Sequence, residues 1–161
     1  MDQPVAALVD APRGIYSARL DDKGRLKLPA DMANYLKALH ERKVFCTTID
    51  MVTAKIYTTK AWNENRRLLA EVPPEKKKFA NHILFLANAM GGDAEMDDSG
   101  RISIPVEVRQ KLGIQDAKIY LECTAAGVIT FYSEQVYEDR KRQALEDLPA
   151  KLEYVESIGM T

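Results

Sequence analysis

A ten-residue pattern that occurs twice constrains the fold of this chain more than any other feature. LDDKGRLKLP occupies residues 20–29, and MDDSGRISIP follows at residues 96–105. Each copy lies in a unit with the same order of signals: a strand, a tight turn, a strand, a short helix, two further strands and a longer helix. Sheets this small bury little apolar surface alone, so we expect the two units to close on each other. The pattern predicts a β-rich α+β fold built from a duplicated unit.

The duplication divides the chain into segments, and composition limits what they can be. No run of about 18 apolar residues is present, so we expect no membrane span. The first residues lack the basic start and apolar centre of a signal peptide, and two scattered cysteines fit a reducing cytoplasm. The predicted organisation is a flexible lead-in (1–13), a first unit (14–72), a helical linker (73–89), a second unit (90–148) and a C-terminal tail (149–161).

Each copy of the pattern contains a three-residue hairpin loop that ends in glycine. The loops are residues 22–24 and 98–100, and they end at Gly24 and Gly100. Hairpin loops of this length combine a type I turn with a left-handed residue, a conformation that glycine adopts without a Cβ clash. The sequence therefore predicts a tight turn at the same place in both units.

An aspartate is predicted to face an arginine across each of these loops. Asp21 would stand opposite Arg25, and Asp97 opposite Arg101. Such a pair fixes the strand register and directs the guanidinium. Because an exposed ion pair contributes only about 0–1 kcal/mol, a positioning role is favoured over a stabilising one.

Strand alternation predicts a basic outer surface in the first unit. Arg19, Arg25 and Lys27 would share the face opposite the apolar leucines. In a continuous hairpin Arg19 would lie opposite Lys27, and two like charges at this distance are stabilised when an anion lies between them. Phosphates are the usual anions for a face of this kind.

The two copies of the pattern carry opposite charge. Residues 13–27 have a net charge of +3, whereas the matching residues 89–103 have a net charge of −3. This difference favours the first unit as the one that binds a polyanion. The residues predicted to contact a phosphate-bearing polyanion such as DNA are Arg13, Arg19, Lys23, Arg25 and Lys27.

The sequence predicts no catalytic or metal-binding chemistry. His40 and His82 are the only histidines, and neither has the spacing of a metal site or of a nucleophile–base pair. The adjacent carboxylates at the two turns have no accompanying signal of a pocket. We therefore expect a protein that is not an enzyme and that needs no cofactor, metal or small-molecule substrate.

The paired motifs resemble those of a known family. DDKGR at residues 21–25 and DDSGR at residues 97–101 match the D-x-x-x-R motifs of the MraZ family, and residues 57–62 resemble its Y-x(n)-W stretch. The family also carries a basic residue early in the helix after each motif. Arg109 matches that position in the second unit, whereas Ala33 replaces it in the first, so the chain resembles a divergent member.

The resemblance implies both a fold and a function. The fold would be a tandem of AbrB/SpoVT-like swapped-hairpin units that form an intramolecular pseudo-dimeric β-barrel with flanking helices. The function would be that of a cytoplasmic, nucleoid-associated transcription regulator of a division and cell wall gene cluster. It would assemble as a ring of the octamer or dodecamer class and bind repeated operator boxes in double-stranded DNA. The motif residues that the resemblance links to DNA are Asp21, Arg25, Asp97 and Arg101.

A protein-interaction function is the alternative. The opposite charges of the two hairpins also suit a head-to-tail contact between neighbouring subunits or with a protein partner. An antitoxin-like module or a scaffold would belong to this class. Both hypotheses depend on where the charged side chains of the two turns lie.

Overall fold

The computed structural model describes residues 9–161. The predicted lead-in therefore lies mainly outside the described residues, since it includes residues 1–8. The strands are β1 (Tyr16–Arg19), β2 (Arg25–Lys27), β3 (Lys43–Thr47), β4 (Ala54–Thr58), β5 (Gly92–Glu95), β6 (Arg101–Ser103), β7 (Lys118–Ala125) and β8 (Val128–Ser133). The helices are α1 (Ala30–Ala38), α2 (Thr59–Ala70), α3 (Lys77–Met90), α4 (Val106–Leu112), α5 (Glu134–Leu145) and α6 (Leu148–Ser157), with a short 3₁₀ turn (Pro74–Lys76) before α3.

Local sequence signals set the ends of several helices. Pro29 and Pro105 stand immediately before α1 and α4 with φ of −52° and −54°, the range that the proline ring imposes. Gly113 ends α4 in the left-handed conformation with φ of 64°. Thr58 and Ser133 cap α2 and α5. Their hydroxyl oxygens accept hydrogen bonds from the backbone N–H groups three residues later, those of Ala61 and Val136, at 3.1 and 3.2 Å. Within residues 9–161, none of the helices combines the length and the apolar character that crossing a bilayer requires.

The strands form a six-stranded antiparallel sheet and a separate two-stranded ribbon. The order in the large sheet is β1-β7-β8-β4-β3-β5, and the ribbon consists of β2 and β6. The first strand of each repeat therefore pairs with the third strand of the other repeat, because β1 joins β7 and β5 joins β3. The predicted β-rich α+β class is confirmed. Each repeat contributes strands that pair with strands of the other repeat.

The strand registers reveal an approximate twofold axis between the repeats. In the ribbon, Leu26 lies opposite Ile102, which is its own counterpart in the second copy. In the large sheet β4 and β8 are counterparts and pair at the centre. The register at one end of the sheet, Arg19 opposite Lys118, is matched at the other end by Glu95 opposite Lys43. The sequence repeat is thus a structural repeat.

One hydrophobic core serves both repeats. It contains Leu26, Ile102 and Phe131, each 0% exposed, together with buried side chains from both helices that follow the ribbon strands. A smaller aromatic cluster lies at the side of the first repeat, where Trp62 contacts Phe45 and Tyr57 at ring distances of 4.7 and 5.0 Å. The ribbon lies on the shared core, and this position holds its outer face toward solvent.

Candidate nucleic-acid interface

The outer face of the β2–β6 ribbon carries cations from both repeats. Arg25 lies opposite Ser103, and Lys27 lies opposite Arg101. The middle residue of each strand is fully buried, so the residues on either side of it point away from the core. Lys27 and Ser103 are exposed, and the two arginines are half-buried. Three cationic side chains therefore share one face of a two-stranded ribbon.

The first turn holds the Arg25 side chain in a defined direction. Gly24 has φ of 76°, and the backbone N–H of Asp21 donates to the Arg25 carbonyl at 2.9 Å. One carboxylate oxygen of Asp21 accepts from the backbone N–H groups of Lys23 and Arg25, both at 2.9 Å. The other accepts from Arg25 Nε at 2.8 Å. The backbone N–H of Arg25 is the largest cause that lowers the pKa of Asp21, so this carboxylate remains charged.

The second turn repeats the backbone geometry without the side-chain ion pair. Gly100 has φ of 82°, and one Asp97 oxygen accepts from the backbone N–H groups of Ser99 and Arg101 at 2.8 and 2.9 Å. Within residues 9–161 no carboxylate lies within ion-pair distance of the Arg101 guanidinium, so the expected Asp97–Arg101 side-chain pair is wrong. The backbone N–H of Arg101 lowers the pKa of Asp97, and the positive charges of Arg101 and Arg25 add to this effect. Arg101 is thus a cation whose guanidinium makes no hydrogen-bonded ion pair with the aspartate of its own motif.

The glycine of each turn is hydrogen-bonded to the other repeat. The Leu28 N–H donates to the Gly100 carbonyl at 2.9 Å, and the Ile104 N–H donates to the Gly24 carbonyl at 3.0 Å. Because each bond joins a turn of one repeat to the strand of the other, the two turns flank a single ribbon. Alternation and loop length alone predict a simple hairpin in each repeat.

Arg109 of α4 lies against the first turn and adds a further cation there. A Cβ built on Gly24 would overlap the Arg109 guanidinium, whose Cζ is the nearest atom. Arg109 Nε also donates to the Ile104 carbonyl at 3.0 Å. At the second turn Ala33 takes the equivalent place, 3.3 Å from a Cβ built on Gly100. The residue choice in the two helices thus adds positive charge beside the first turn only.

The structure separates Arg19 from the ribbon. Arg19 lies in the large sheet opposite Lys118, and its Nη1 donates to the Asp116 carbonyl at 2.8 Å. The prediction that it lies opposite Lys27 is wrong. Leu20 forms a single bridge to Leu26, and β1, which precedes Leu20, pairs with β7 instead of β2. Of the other predicted DNA-contact residues, Lys23 is exposed within the turn, and Arg13 is exposed ahead of β1.

Comparison with known proteins identifies relatives of this two-repeat chain. No family model matches the chain. The transcriptional regulator MraZ of Acidobacterium capsulatum is 37% identical over 101 residues, which cover 61% of this chain and 66% of that protein. MraZ of Koribacter versatilis (strain Ellin345) is 33% identical over 107 residues, or 64% and 70% of the two chains. MraZ of Delftia acidovorans is 27% identical over 139 residues, or 86% and 94%. The chain belongs to the MraZ family.

One carboxylate of the acidic turn of this MraZ family member forms an ion pair within the chain. Asp98 forms an ion pair with Arg42 of the α1–β3 connection at 2.9 Å, and Glu95 lies opposite Lys43. At the equivalent positions of the other end, Arg19 and Lys118 are both cations. Two-repeat symmetry thus gives one end of the sheet paired opposite charges and the other end a concentrated positive charge. The sequence windows could not reveal this, because Arg42, Lys43 and Lys118 lie outside them.

The contact between Arg109 and the first turn predicts unequal costs for two matched glycine substitutions. Gly24→Ala and Gly100→Ala both force a Cβ into the left-handed region, which costs about 1–2 kcal/mol. Only Gly24→Ala also displaces the Arg109 guanidinium and breaks its hydrogen bond to the Ile104 carbonyl, whereas Gly100→Ala meets the Ala33 methyl at 3.3 Å. We expect Gly24→Ala to lower the free energy of unfolding more than Gly100→Ala in urea titrations.

A double variant separates the two contributions. In an Arg109→Ala background, the cost of Gly24→Ala should fall toward that of Gly100→Ala, because the contact with the guanidinium is already absent. Equal losses for the two glycine substitutions in the wild-type background would contradict the contact with Arg109.

Proposed function

We propose that this chain is a sequence-specific DNA-binding transcriptional regulator and that the β2–β6 ribbon is its reading element. The observation that carries the proposal is the set of three cations, Arg25, Lys27 and Arg101, on the outer face of one antiparallel ribbon. The major groove of B-DNA admits a two-stranded ribbon, and arginine pairs there with the O6 and N7 atoms of guanine. The relatives named above are transcriptional regulators, which supports the same class for this chain.

Each charged residue of the ribbon has a distinct proposed role. Arg25 would read a base edge, because Asp21 holds its Nε at 2.8 Å and thereby limits its direction. Arg101 would contact a second base or a phosphate, while Asp97 fixes the turn that carries it. Lys27 would contact the backbone phosphates. Arg13, Arg19, Lys23 and Arg109 would add to the positive field around the first turn.

Assembly is part of the proposal, because a single ribbon with so few cations binds weakly. Several ribbons on a ring of the octamer or dodecamer class would gain by avidity when operator boxes repeat at a matching distance. The strand exchange between repeats supports an AbrB/SpoVT-like pseudo-dimer as the unit of that ring. The proposed targets are operator boxes of a division and cell wall gene cluster, reached in the nucleoid.

The interaction-module alternative has weaker support. It requires a free acidic hairpin that a basic partner surface can contact. In the structure Arg42 already binds Asp98, and Lys43 lies opposite Glu95. The charge available for an external basic partner is therefore smaller than the sequence windows indicate.

Salt dependence of binding tests the role of the ribbon. Chromatin mapping across the genome identifies the DNA that the protein binds, and we expect it to enrich a short repeated box. A duplex that contains this box is then used to measure binding. On that duplex, Lys27→Ala should reduce the slope of log K against log salt by about 0.9 for each phosphate that a Lys27 side chain neutralises. The matched control is Lys60→Ala, since Lys60 is an exposed lysine of α2 away from the ribbon. An unchanged slope for Lys27→Ala, or a mapping without enriched boxes, would count against the proposal.

A further inference from the structure

The last helix of the chain has an apolar stripe that is exposed along most of its length. Helix α6 has ten residues, and all of them are exposed except Val155, which is half-buried. Leu148, Leu152 and Val155 follow the spacing i, i+4, i+7 and therefore lie on one side of the helix. Leu148 is 37% exposed and Leu152 44%. Isolated helices shorter than about 12 residues are marginal in water, so α6 requires a packing partner.

Helix α3 exposes a second stripe with matching spacing. Phe79, Ile83, Leu86 and Met90 follow i, i+4, i+7, i+11, which is the alternating four- and three-residue spacing of a helix–helix seam. Phe79 is 61% exposed and the other three are half-exposed. The side of α3 that packs inward is a different one, formed by the buried Ala80 and Ala87.

Charge around the two stripes is complementary. Residues 146–161 carry Glu146, Asp147, Glu153 and Glu156 against the single cation Lys151, a net charge of −3. Three consecutive lysines, residues 76–78, precede Phe79 at the start of α3. Opposite charges beside an apolar seam favour association of these two surfaces over association of either with itself.

We propose that α6 of one copy packs along the Phe79–Met90 stripe of α3 in a second copy. Both stripes are exposed in the same molecule, so they do not cover each other within one chain. A contact between two different surfaces is heterologous, and repeated from copy to copy it generates a closed ring when the rotation allows. The inference rests on the assembly part of the proposed function, for which it supplies the interface, and it does not involve the DNA-contacting ribbon.

The variants that test this contact have controls on the same helices. Leu152→Asp places a charge in the α6 stripe, and Phe79→Asp places one in the α3 stripe. Tyr154→Asp and Phe85→Asp are the controls, because these residues are 65% and 71% exposed but lie on other sides of the same helices. All four positions are at the surface, and circular dichroism checks that each variant folds.

Mass measurement by light scattering on the full-length chain gives the decisive comparison. We expect wild type and both controls to form an oligomer, and Leu152→Asp and Phe79→Asp each to be monomers of 18.1 kDa. An equimolar mixture of the two monomeric variants should form a dimer, since one intact stripe of each kind remains in the pair. A Leu152→Asp protein of wild-type mass would overturn the contact, as would a mixture that stays monomeric.

Other outcomes distinguish this contact from the proposals on which it rests. Leu152→Asp could be monomeric while Phe79→Asp remains oligomeric. That result would mean that α6 packs on another surface, and it would overturn the contact. A wild-type chain that is monomeric at all concentrations would overturn both the ring and this interface. Retardation of DNA by Arg25→Ala relative to wild type tests the ribbon separately, because that comparison does not depend on which surfaces join the copies.

Discussion

Arg25→Ala is expected to abolish the retardation of operator DNA while leaving the oligomer intact. Arg25 is the ribbon cation whose direction is fixed, through the 2.8 Å bond from its Nε to Asp21. A good bidentate arginine–guanine contact contributes about 1–3 kcal/mol of discrimination. The loss recurs at every ribbon of a multivalent assembly, so the combined effect exceeds that of a single contact.

The controls for this prediction separate contact from positioning. Arg66→Ala removes an exposed arginine from α2 and should leave retardation unchanged. Asp21→Asn keeps the shape of the side chain but removes the charge that directs Arg25, so we expect an effect between those of wild type and Arg25→Ala. Arg101→Ala should also weaken binding, because Arg101 shares the outer face of the ribbon with Lys27. Wild-type retardation by Arg25→Ala would contradict the assignment of the ribbon as the DNA-contacting element.

Leu26→Ala and Ile102→Ala are each expected to destabilise the whole molecule. The two residues face each other at the centre of the ribbon and are 0% exposed. Truncation of a buried leucine or isoleucine to alanine costs about 2–5 kcal/mol, a large part of the roughly 5–15 kcal/mol that stabilises a domain. Because both repeats line one core, either change should shift a single cooperative unfolding transition in urea, at a fixed protein concentration, to a lower midpoint.

A surface control and the shape of the transition decide this prediction. Val52→Ala also shortens an aliphatic side chain, but Val52 is 50% exposed, so its effect should stay within about 0.5 kcal/mol. Two separate transitions in either core variant would show that the repeats unfold independently. That result would contradict the shared core.

Local sequence signals were sufficient for the elements and the turns. The glycines of the two turns act over a few residues, and both have the positive φ that the sequence predicts. The alternation of β2 and β6 also indicated correctly that Leu26 is buried and Lys27 exposed. These features depend on backbone sterics and on side-chain period, which a short window contains.

Local sequence signals did not determine which strands pair with each other. Alternation and loop length favoured a continuous hairpin of β1 with β2, which would have placed Arg19 beside Lys27. In the structure β1 pairs with β7, and Lys27 lies opposite Arg101. A simple hairpin and an exchanged pair satisfy the same alternation, so nothing within residues 20–29 distinguishes them. The participation of Arg109 in the first turn follows from the same exchange, since α4 belongs to the second repeat.

Residue order alone was enough to show that this chain is a duplicated α+β protein with two glycine-closed turns and a basic first copy. Three further features depend on the assembled fold. The two turns flank one ribbon, Arg101 and Arg109 join the first-repeat cations, and Arg42 forms an ion pair with Asp98 of the acidic turn. The physical reason is the range of the interactions. Turn geometry and alternation act between neighbours in the chain, whereas strand exchange depends on how two similar units bury one common core.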